Sequence, residues 1–361
     1  MSMVTTTPAP SSVTSLSVPH SDPSLIQTDY LKTRRTRHRS AGGLQRSEVL
    51  LKRHPDNPIL QPKDFGDVDS VFNCGQTMFQ NETLLLVPVC KKQSVPEMYV
   101  ATSRDGVNFE IREKPFITSA SGHPWSKYDE WPIDPRITQI DNIYYISRPI
   151  QTPTGAAAIL EKTEDFIHRE VLGCIALSPN RVPCLFPGRI NGRYYKLDRP
   201  SSGSGDREVG EIWISSSTNL LDWGDFRPLL GVPVSHVWAT SKIGPTPPIW
   251  TEAGWLVIYH GVLKSSSGTR YSLAAMLLDL DRPWQVIGIS DGWLMTPDAP
   301  YEFMGNVPNT IFSCGAIADL KDNTLRVYYG AADTCIGLAV GKLDEVLDDC
   351  LRGVPVRGTY Y

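Results

Sequence analysis

One pattern returns five times along this chain of 361 residues and limits what it can fold into. An apolar strand-like run leads into a short polar turn, and an aromatic or aliphatic residue follows the turn. The copies are YVATSRDGVNFE from Tyr99, AAILEKTEDFIHRE from Ala157, EIWISSSTNLLDWG from Glu211, SLAAMLLDLDRPWQVI from Ser272 and IGLAVGKLDEVLDD from Ile336. They recur about 55–65 residues apart, a period in the range of propeller blades. Each is preceded by a second run: LLLVPV from Leu84, IYYISRP from Ile143, RYYKLDRP from Arg193, WLVIYHGV from Trp255 and LRVYYGAAD from Leu325. Their short length and their β-branched and aromatic content favour strands over helices. The turns before them (QNET, DNI, NGR, EAG and KDN) are hairpin punctuation.

Five such hairpins predict an all-β fold, a five-bladed β-propeller with an irregular N-terminal extension and few short helices. A β-sandwich, or two, would also supply many short strands, but the regular period favours the propeller. The expected organisation is a tail over residues 1–45 and a single propeller domain over residues 46–361. The best helix candidates are residues 47–53 and 343–351. Plentiful glycine (28) and proline (29) suit many strands joined by turns.

Composition narrows the function classes. A net charge of −4 argues against a broad nucleic-acid surface. No run of about 18 apolar residues predicts a membrane-spanning helix. The first residues, MSMVTTTPAPSSVTSLSVPH, lack the apolar core of a signal peptide, and the basic run Arg34, Arg35, Arg37, His38 and Arg39 follows. The segment reads as a solvated tail or an oligomer-contact arm, with a transit peptide as the alternative. The seven cysteines are an odd number with no C-x-x-C pair. They read as reduced, buried thiols of a cytoplasmic protein.

In a propeller the strand ends of all blades converge on one axial pocket, so polar residues that interrupt apolar strands are the ones to weigh. Asp134 precedes Pro135, which biases its backbone to an extended conformation; most Asp-Pro pairs merely cap turns. Arg181, Arg199, Lys242 and His260 stand at comparable strand-end positions in successive predicted blades. Singly each reads as a surface charge or, for His260, a hydrogen-bonded core residue. Together they would ring an anion with bidentate and point-charge contacts. Tyr271 could donate to that anion, and Asp333 could orient the cations or bind a sugar hydroxyl. Asn73, Trp125, Tyr128 and Trp131 complete the set, although core packing is the commoner fate of a Trp. No G-x-S-x-G, P-loop, H-E-x-x-H or G-x-G-x-x-G is present.

The runs VFNCGQT, SRDGVNFE, IDPRIT, LFPGRINGRYYKLDRP, KIGPTPPIWTEAGWLVIYHGV, YSLAAMLLDLDRP, VPNTIFSCGAI and YYGAADTCIGLA together resemble glycoside hydrolase family 130. The resemblance runs from about Asn57 to Leu347. It implies a five-bladed propeller and an inverting phosphorylase of β-mannosides; a smaller set of relatives are β-1,2-mannosidases. It implies that Asp134, in the D-P-R motif, is the general acid and acts indirectly through the mannose 3-hydroxyl. Phosphate would attack the anomeric carbon from the opposite face, giving α-mannose 1-phosphate and a shortened acceptor. The phosphate residues would be Arg181, Arg199, Lys242, His260 and Tyr271, with Asn73, Arg136 and Asp333 at the sugar.

The chain departs from the family pattern where a Y-R-A run is replaced by Val87-Pro88-Val89 and an S-R run by Pro96-Glu97. H-R-P becomes Asp198-Arg199-Pro200, and G-D-V-P-N becomes Gly305-Asn306-Val307-Pro308-Asn309.

Chemistry separates the alternatives. An inverting hydrolase needs a second carboxylate to activate water, and Glu130 or Asp333 would be the candidates. A phosphorylase instead needs cations that hold an already anionic nucleophile in line. A non-enzymatic sugar-binding propeller is a further reading. An arabinan- or fructan-acting enzyme would use three carboxylates and no phosphate-binding cations. The phosphorylase reading implies no metal or organic cofactor, with inorganic phosphate as co-substrate. The expected partners are an oligosaccharide and phosphate, with a homo-oligomer as a further option, and no nucleic acid and no membrane.

Overall fold

A computed structural model describes residues 49–91, 94–119, 123–202, 209–232 and 238–353. The tail expected over residues 1–45 lies outside the described residues. Five sheets follow one another along the chain as the blades of a β-propeller. Blade I holds Ser70–Val71, Gly75–Phe79, Glu82–Cys90, Glu97–Ser103 and Glu110–Ile111. Blade II holds Arg136–Ile140, Ile143–Thr152, Gly155–Thr163 and Glu170–Ala176. Blade III holds Cys184–Ile190, Arg193–Asp198, Ile212–Ser217 and Trp223–Leu230. Blade IV is built on Lys242–Pro245, Gly254–Ser265, Gly268–Leu278 and Val286–Ile289. Blade V holds Ile311–Phe312, Ile317–Asp319, Thr324–Ala331 and Cys335–Lys342. Every run singled out by the repeat is a strand of these sheets.

The ring is closed by its own beginning. Lys52–Arg53 pairs antiparallel with Cys335–Lys342, Lys52 opposite Val340 and Arg53 opposite Ala339. A helix over residues 47–53 is therefore not what forms: Lys52 and Arg53 are strand, and residues 47 and 48 lie outside the described residues. The reason is that seven residues make a marginal helix, whereas the last blade offers an unpaired edge whose backbone groups need partners. Arg53 fixes the closure. Its Nε and Nη2 meet the two carboxylate oxygens of the fully buried Glu302 at 2.8 and 2.6 Å.

The helix expected over residues 343–351 is present as Leu343–Arg352. It buries Leu343, Val346, Leu347 and Cys350, the helical spacing of one apolar face, and carries Asp344 and Glu345 in its first turn. It packs against blade IV so closely that a Cβ at Gly288 would come 2.4 Å from the Cys350 carbonyl. A short helix at Pro300–Phe303 carries Glu302.

The core lies in layers between blades. In the run from Leu84, Leu85 and Val87 join a cluster with Tyr328 and Leu338 of blade V. Leu84 and Leu86 join one with Ile137, Tyr144 and Ile146 of blade II. Alternation of side chains along a strand thus sends an unbroken apolar run to two neighbours. Burial of each leucine contributes roughly 2 kcal/mol. The polar turns of the repeat are built by side chains. Asp105, Asp165 and Asn219 each accept two backbone N–H groups of their own turn, and Ser103, Thr163 and Ser217 accept another. That local bonding is the physical content of SRDG, TEDF and STNL.

All seven cysteines are free thiols, five of them buried. Among the described residues, no helix is long and apolar enough to cross a membrane.

Candidate active site

Two kinds of position bring polar side chains together. Asn73, Asp134, Arg181 and Lys242 lie at, or up to three residues before, the inner strands of blades I to IV. Arg199 follows Arg193–Asp198 of blade III, His260 lies in Gly254–Ser265 of blade IV, and Asp333 sits in the turn between Thr324–Ala331 and Cys335–Lys342 of blade V. Equivalent positions around a ring face one axis, so residues some 260 places apart in sequence can share one site.

Asp134 is buried, and its backbone is left-handed, with φ of 50°. The extended conformation expected of a residue before proline is not adopted. A side chain in that region costs about 1 kcal/mol or more and persists only where its surroundings hold it. Here they do. Asn73 Nδ2 donates to Oδ1 at 2.8 Å. Arg181 Nε and Nη2 both donate to Oδ2 at 3.1 Å. Arg136 Nη1 donates to the backbone carbonyl of Asp134 at 2.7 Å.

Arg136 is itself buried, and its Nε and Nη2 have no hydrogen-bond partner among the described residues. The nearby thiols of Cys184 and Cys314 are pushed up by burial, the first to about 12, so they stay neutral and leave Asp134 to balance the cation. Burial of Asp134 opposes its ionisation, but Arg181, Arg136 and the Asn73 amide together hold its carboxyl below the usual range.

Asp333 is driven the other way. Burial and the charge of Asp134 raise its carboxyl to about 6, against the pull of Asn73 and Arg181. Its turn places Ala332 and Asp333 at φ of 49° and 50°. Asn306 Nδ2 donates to the Asp333 carbonyl at 2.9 Å and to Ser70 Oγ at 2.6 Å. An aspartate, the usual residue of that motif, could not donate these bonds. Two neighbouring carboxyls with affinities for a proton pushed apart are the signature of an acid with a distinct partner.

Strand register assembles the basic group. In blade IV, Lys242 pairs with Val262 and Val262 with Tyr271, while Gly244 pairs with His260. Lys242, His260 and Tyr271 therefore share one face of the sheet. Arg199 reaches that face from blade III, with Nη1 3.3 Å from His260 Nε2. Gly244 makes room: a Cβ there would lie 2.3 Å from His260 Cε1 and 3.3 Å from Arg199 Cδ. The imidazole packs on Phe312 of blade V at 4.4 Å between ring centroids, with Tyr271 at 6.0 Å. Burial, then the charges of Arg199, Arg136 and Lys242, hold His260 well below its ordinary range, so it is neutral at neutral pH. With Arg199 donating to Nε2, the ring proton belongs on Nδ1.

The two groups of residues are joined through Asn180, which sequence reasoning did not single out. Its Oδ1 accepts from the Arg199 backbone N–H at 3.1 Å, and its Nδ2 donates to Asp198 at 2.9 Å. Asp198 also takes the Lys196 ammonium and the Ser215 hydroxyl, so this residue of the D-R-P run is bound between strands. Of the remaining candidates, Trp125 and Tyr128 pack on blade II, whereas Trp131 and Glu130 are exposed.

A family model described as beta-1,4-mannooligosaccharide phosphorylase, that of glycoside hydrolase family 130, matches residues 50–352. The chain belongs to glycoside hydrolase family 130. A beta-1,4-mannooligosaccharide phosphorylase of Ruminococcus albus is 32% identical over 305 residues, covering 83% of this chain and 90% of that protein. A beta-1,2-mannobiose phosphorylase of Listeria innocua is 37% identical over 257 residues, 70% of this chain and 68% of that one. The solved structure of a Listeria innocua beta-1,2-mannobiose phosphorylase in complex with beta-1,2-mannobiose superposes with a TM-score of 0.74 at 29% identity. It covers 83% of this chain and 99% of its own.

In this family 130 chain a second set of residues outside the predicted site supports the loop that leads to Asp134. Arg148, fully buried in blade II, pairs with both oxygens of Asp129 and with Glu161, which Arg169 also meets. His123 Nε2 lies 3.2 Å from Asp129. The only signal in the sequence is a charged residue inside each of the runs IYYISRP and AAILEK, and it carries no direction.

Proposed function

We propose that this chain is an inverting β-mannoside phosphorylase that cleaves a β-mannosyl linkage with inorganic phosphate, releasing α-mannose 1-phosphate and a shortened acceptor. The observation that carries the reading is the company Asp134 keeps. A buried carboxyl fixed by Asn73 and Arg181 is linked through the charge of Arg136, which acts on both Asp134 and His260, to a guanidinium, an ammonium and a neutral imidazole on blades III and IV. A dianionic nucleophile requires such a set, and a water molecule does not.

In this reading Arg181, Arg199 and Lys242 supply the charge that holds phosphate beneath the anomeric carbon. His260 donates through Nδ1, and Tyr271 through its hydroxyl. Asp134 is the acid and, as in the family mechanism, passes its proton through the mannose 3-hydroxyl. That hydroxyl's own proton goes to the glycosidic oxygen as the C–O bond breaks and the phosphate C–O bond forms. Asn73, Arg136 and Asp333 shape the sugar side, where Asp333 accepts or donates to a hydroxyl. Burial and the charge of Asp134 keep a proton on Asp333 more readily than on a free aspartate, which suits a contact that can donate to a hydroxyl. Blade I contributes little polarity there, because Val87 and Val89 turn into the core layer shared with blade V. The relatives span β-1,2 and β-1,4 linkages, so the reading is framed at the level of the mannoside.

The test is synthesis in reverse. With α-mannose 1-phosphate and a panel of sugar acceptors, the enzyme is expected to release phosphate and form a β-mannoside. Equal cleavage rates of β-mannosides with and without phosphate would overturn the reading.

A further inference from the structure

The contact between Arg181 and Asp134 has two ends that differ in exposure. The carboxylate side chain is 6% exposed, whereas the Arg181 side chain is 32% exposed. Its Nε and Nη2 are both spent on one carboxylate oxygen, Asp134 Oδ2. An arriving dianion therefore competes for a cation already paired with the acid.

We propose that phosphate itself arms the acid: its binding draws the Arg181 charge away from Asp134, and Asp134 then takes up the proton it later delivers. The inference rests on the reading of Arg181 as a phosphate residue. It gives that reading a regulatory consequence, since without phosphate the acid stays ionised and water cannot be used in its place.

The other groups facing Asp134 do not undo this. Asn73 from blade I donates to Oδ1 and carries no charge. Arg136 is buried and held by the Asp134 carbonyl and Phe312, so it is less free to turn to an arriving anion than the part-exposed Arg181. Cys314 stays a neutral thiol; Asp333, raised to about 6 by burial and the charge of Asp134, can take up a proton of its own, which the test separates from that of Asp134. A dianion added beside these groups shifts the balance in one direction, towards the neutral acid. The proton comes from solvent on binding and leaves with the acceptor sugar, and Asp134 returns to the carboxylate as the products depart.

The test uses sulfate, which mimics the phosphate dianion but has no proton of its own to exchange near neutral pH. Calorimetric titration in two buffers of different ionisation enthalpy reads the protons taken up on binding. The intact enzyme is expected to take up a fraction of a proton near pH 6 that Asp134→Asn does not. An infrared difference spectrum should show a protonated carboxyl appearing on sulfate binding in the former alone. Because burial and also the charge of Asp134 raise the Asp333 carboxyl, both titrations and spectra are repeated on Asp333→Asn, where a loss of uptake on adding Asp134→Asn belongs to Asp134. Equal uptake by both proteins, or none by either with sulfate bound, would overturn the inference and leave the phosphate site standing. Failure of both sulfate and phosphate to bind would overturn the phosphate site itself, and the inference with it.

Discussion

Asn73 Nδ2 donates to Asp134 Oδ1 at 2.8 Å across the seam between blades I and II. The amide is aimed by a third blade. A Cβ at Gly330 of blade V would lie 2.0 Å from Asn73 Oδ1, so the amide can sit there only because Gly330 lacks one.

Gly330→Ala should therefore push Asn73 off the acid. The expected result is a roughly tenfold fall in kcat, the size of effect that follows from misplacing a reacting group, with about 1–3 kcal/mol of lost stability from overpacking. Denaturant unfolding and phosphorolysis rates check the two. Asn73→Ala should lower kcat similarly without the overpacking cost, which separates the two effects.

Asp134→Asn keeps the shape but removes the acid, and its single carbonyl oxygen can accept from Asn73 or from Arg181 but not from both. The turnover of β-mannobiosides should fall roughly 10²–10⁴-fold, the usual contribution of general acid catalysis. An aryl β-mannoside whose phenol leaves without protonation should lose far less. Parallel rates for the two substrates decide it, and an equal loss on both would mean that Asp134 does not act on the leaving group.

The fold was legible because a propeller repeats its grammar. The turn residues Asp105, Asp165 and Asn219 bond their own backbones, so the signal they carry is local and survives in the sequence. The ring-closing strand was not legible. Lys52 and Arg53 become strand only because an edge some 290 residues away needs covering, and no local propensity encodes that. The candidate residues were readable as strand-end interruptions, since register alone places Lys242, His260 and Tyr271 on one face. What could not be read was how they are held. The left-handed backbone of Asp134 opposes its own pre-proline bias and is set by Arg136 and Arg181. Asn180 reads as an ordinary turn residue until Arg199 is found on it.

Lys242 lies on the phosphate side of this arrangement. Lys242→Ala should raise the KM for phosphate roughly 10–100-fold, as expected for the loss of one charged hydrogen bond. The KM for the mannoside should change little. Initial rates with each substrate varied in turn check the split. A change confined to the mannoside would move Lys242 to the sugar.

Closure of the ring depends on a buried charge. Glu302 is fully buried and receives Arg53, the Tyr329 hydroxyl at 2.9 Å and the backbone N–H groups of Asp298 and Ala299. Arg53→Ala leaves that carboxylate without its cation and should cost about 2–4 kcal/mol. The double variant Arg53→Ala, Glu302→Gln should recover part of the loss. Thermal unfolding of the three proteins tests this, and a single variant as stable as the parent would mean that the pair does not secure the closing strand.

Asp333 predicts how stability follows pH. Its folded-state value of about 6 lies above that of an unfolded aspartate, so the folded chain binds this proton more tightly. The stability that comes from the proton is complete below about pH 4 and is lost as pH rises through 6. Asp134, whose carboxyl is held low, works in the opposite sense and loses its contribution as the solution becomes acid. Asp333→Asn removes the first effect and leaves the second. Its melting temperature should exceed that of the parent above pH 6, and the gap should narrow steadily towards pH 4. Melting curves across that range read the difference directly. A constant gap would mean that Asp333 carries no raised affinity for its proton, and the repulsion between the two carboxyls could then not be what keeps Asp333 ready to donate to a sugar hydroxyl.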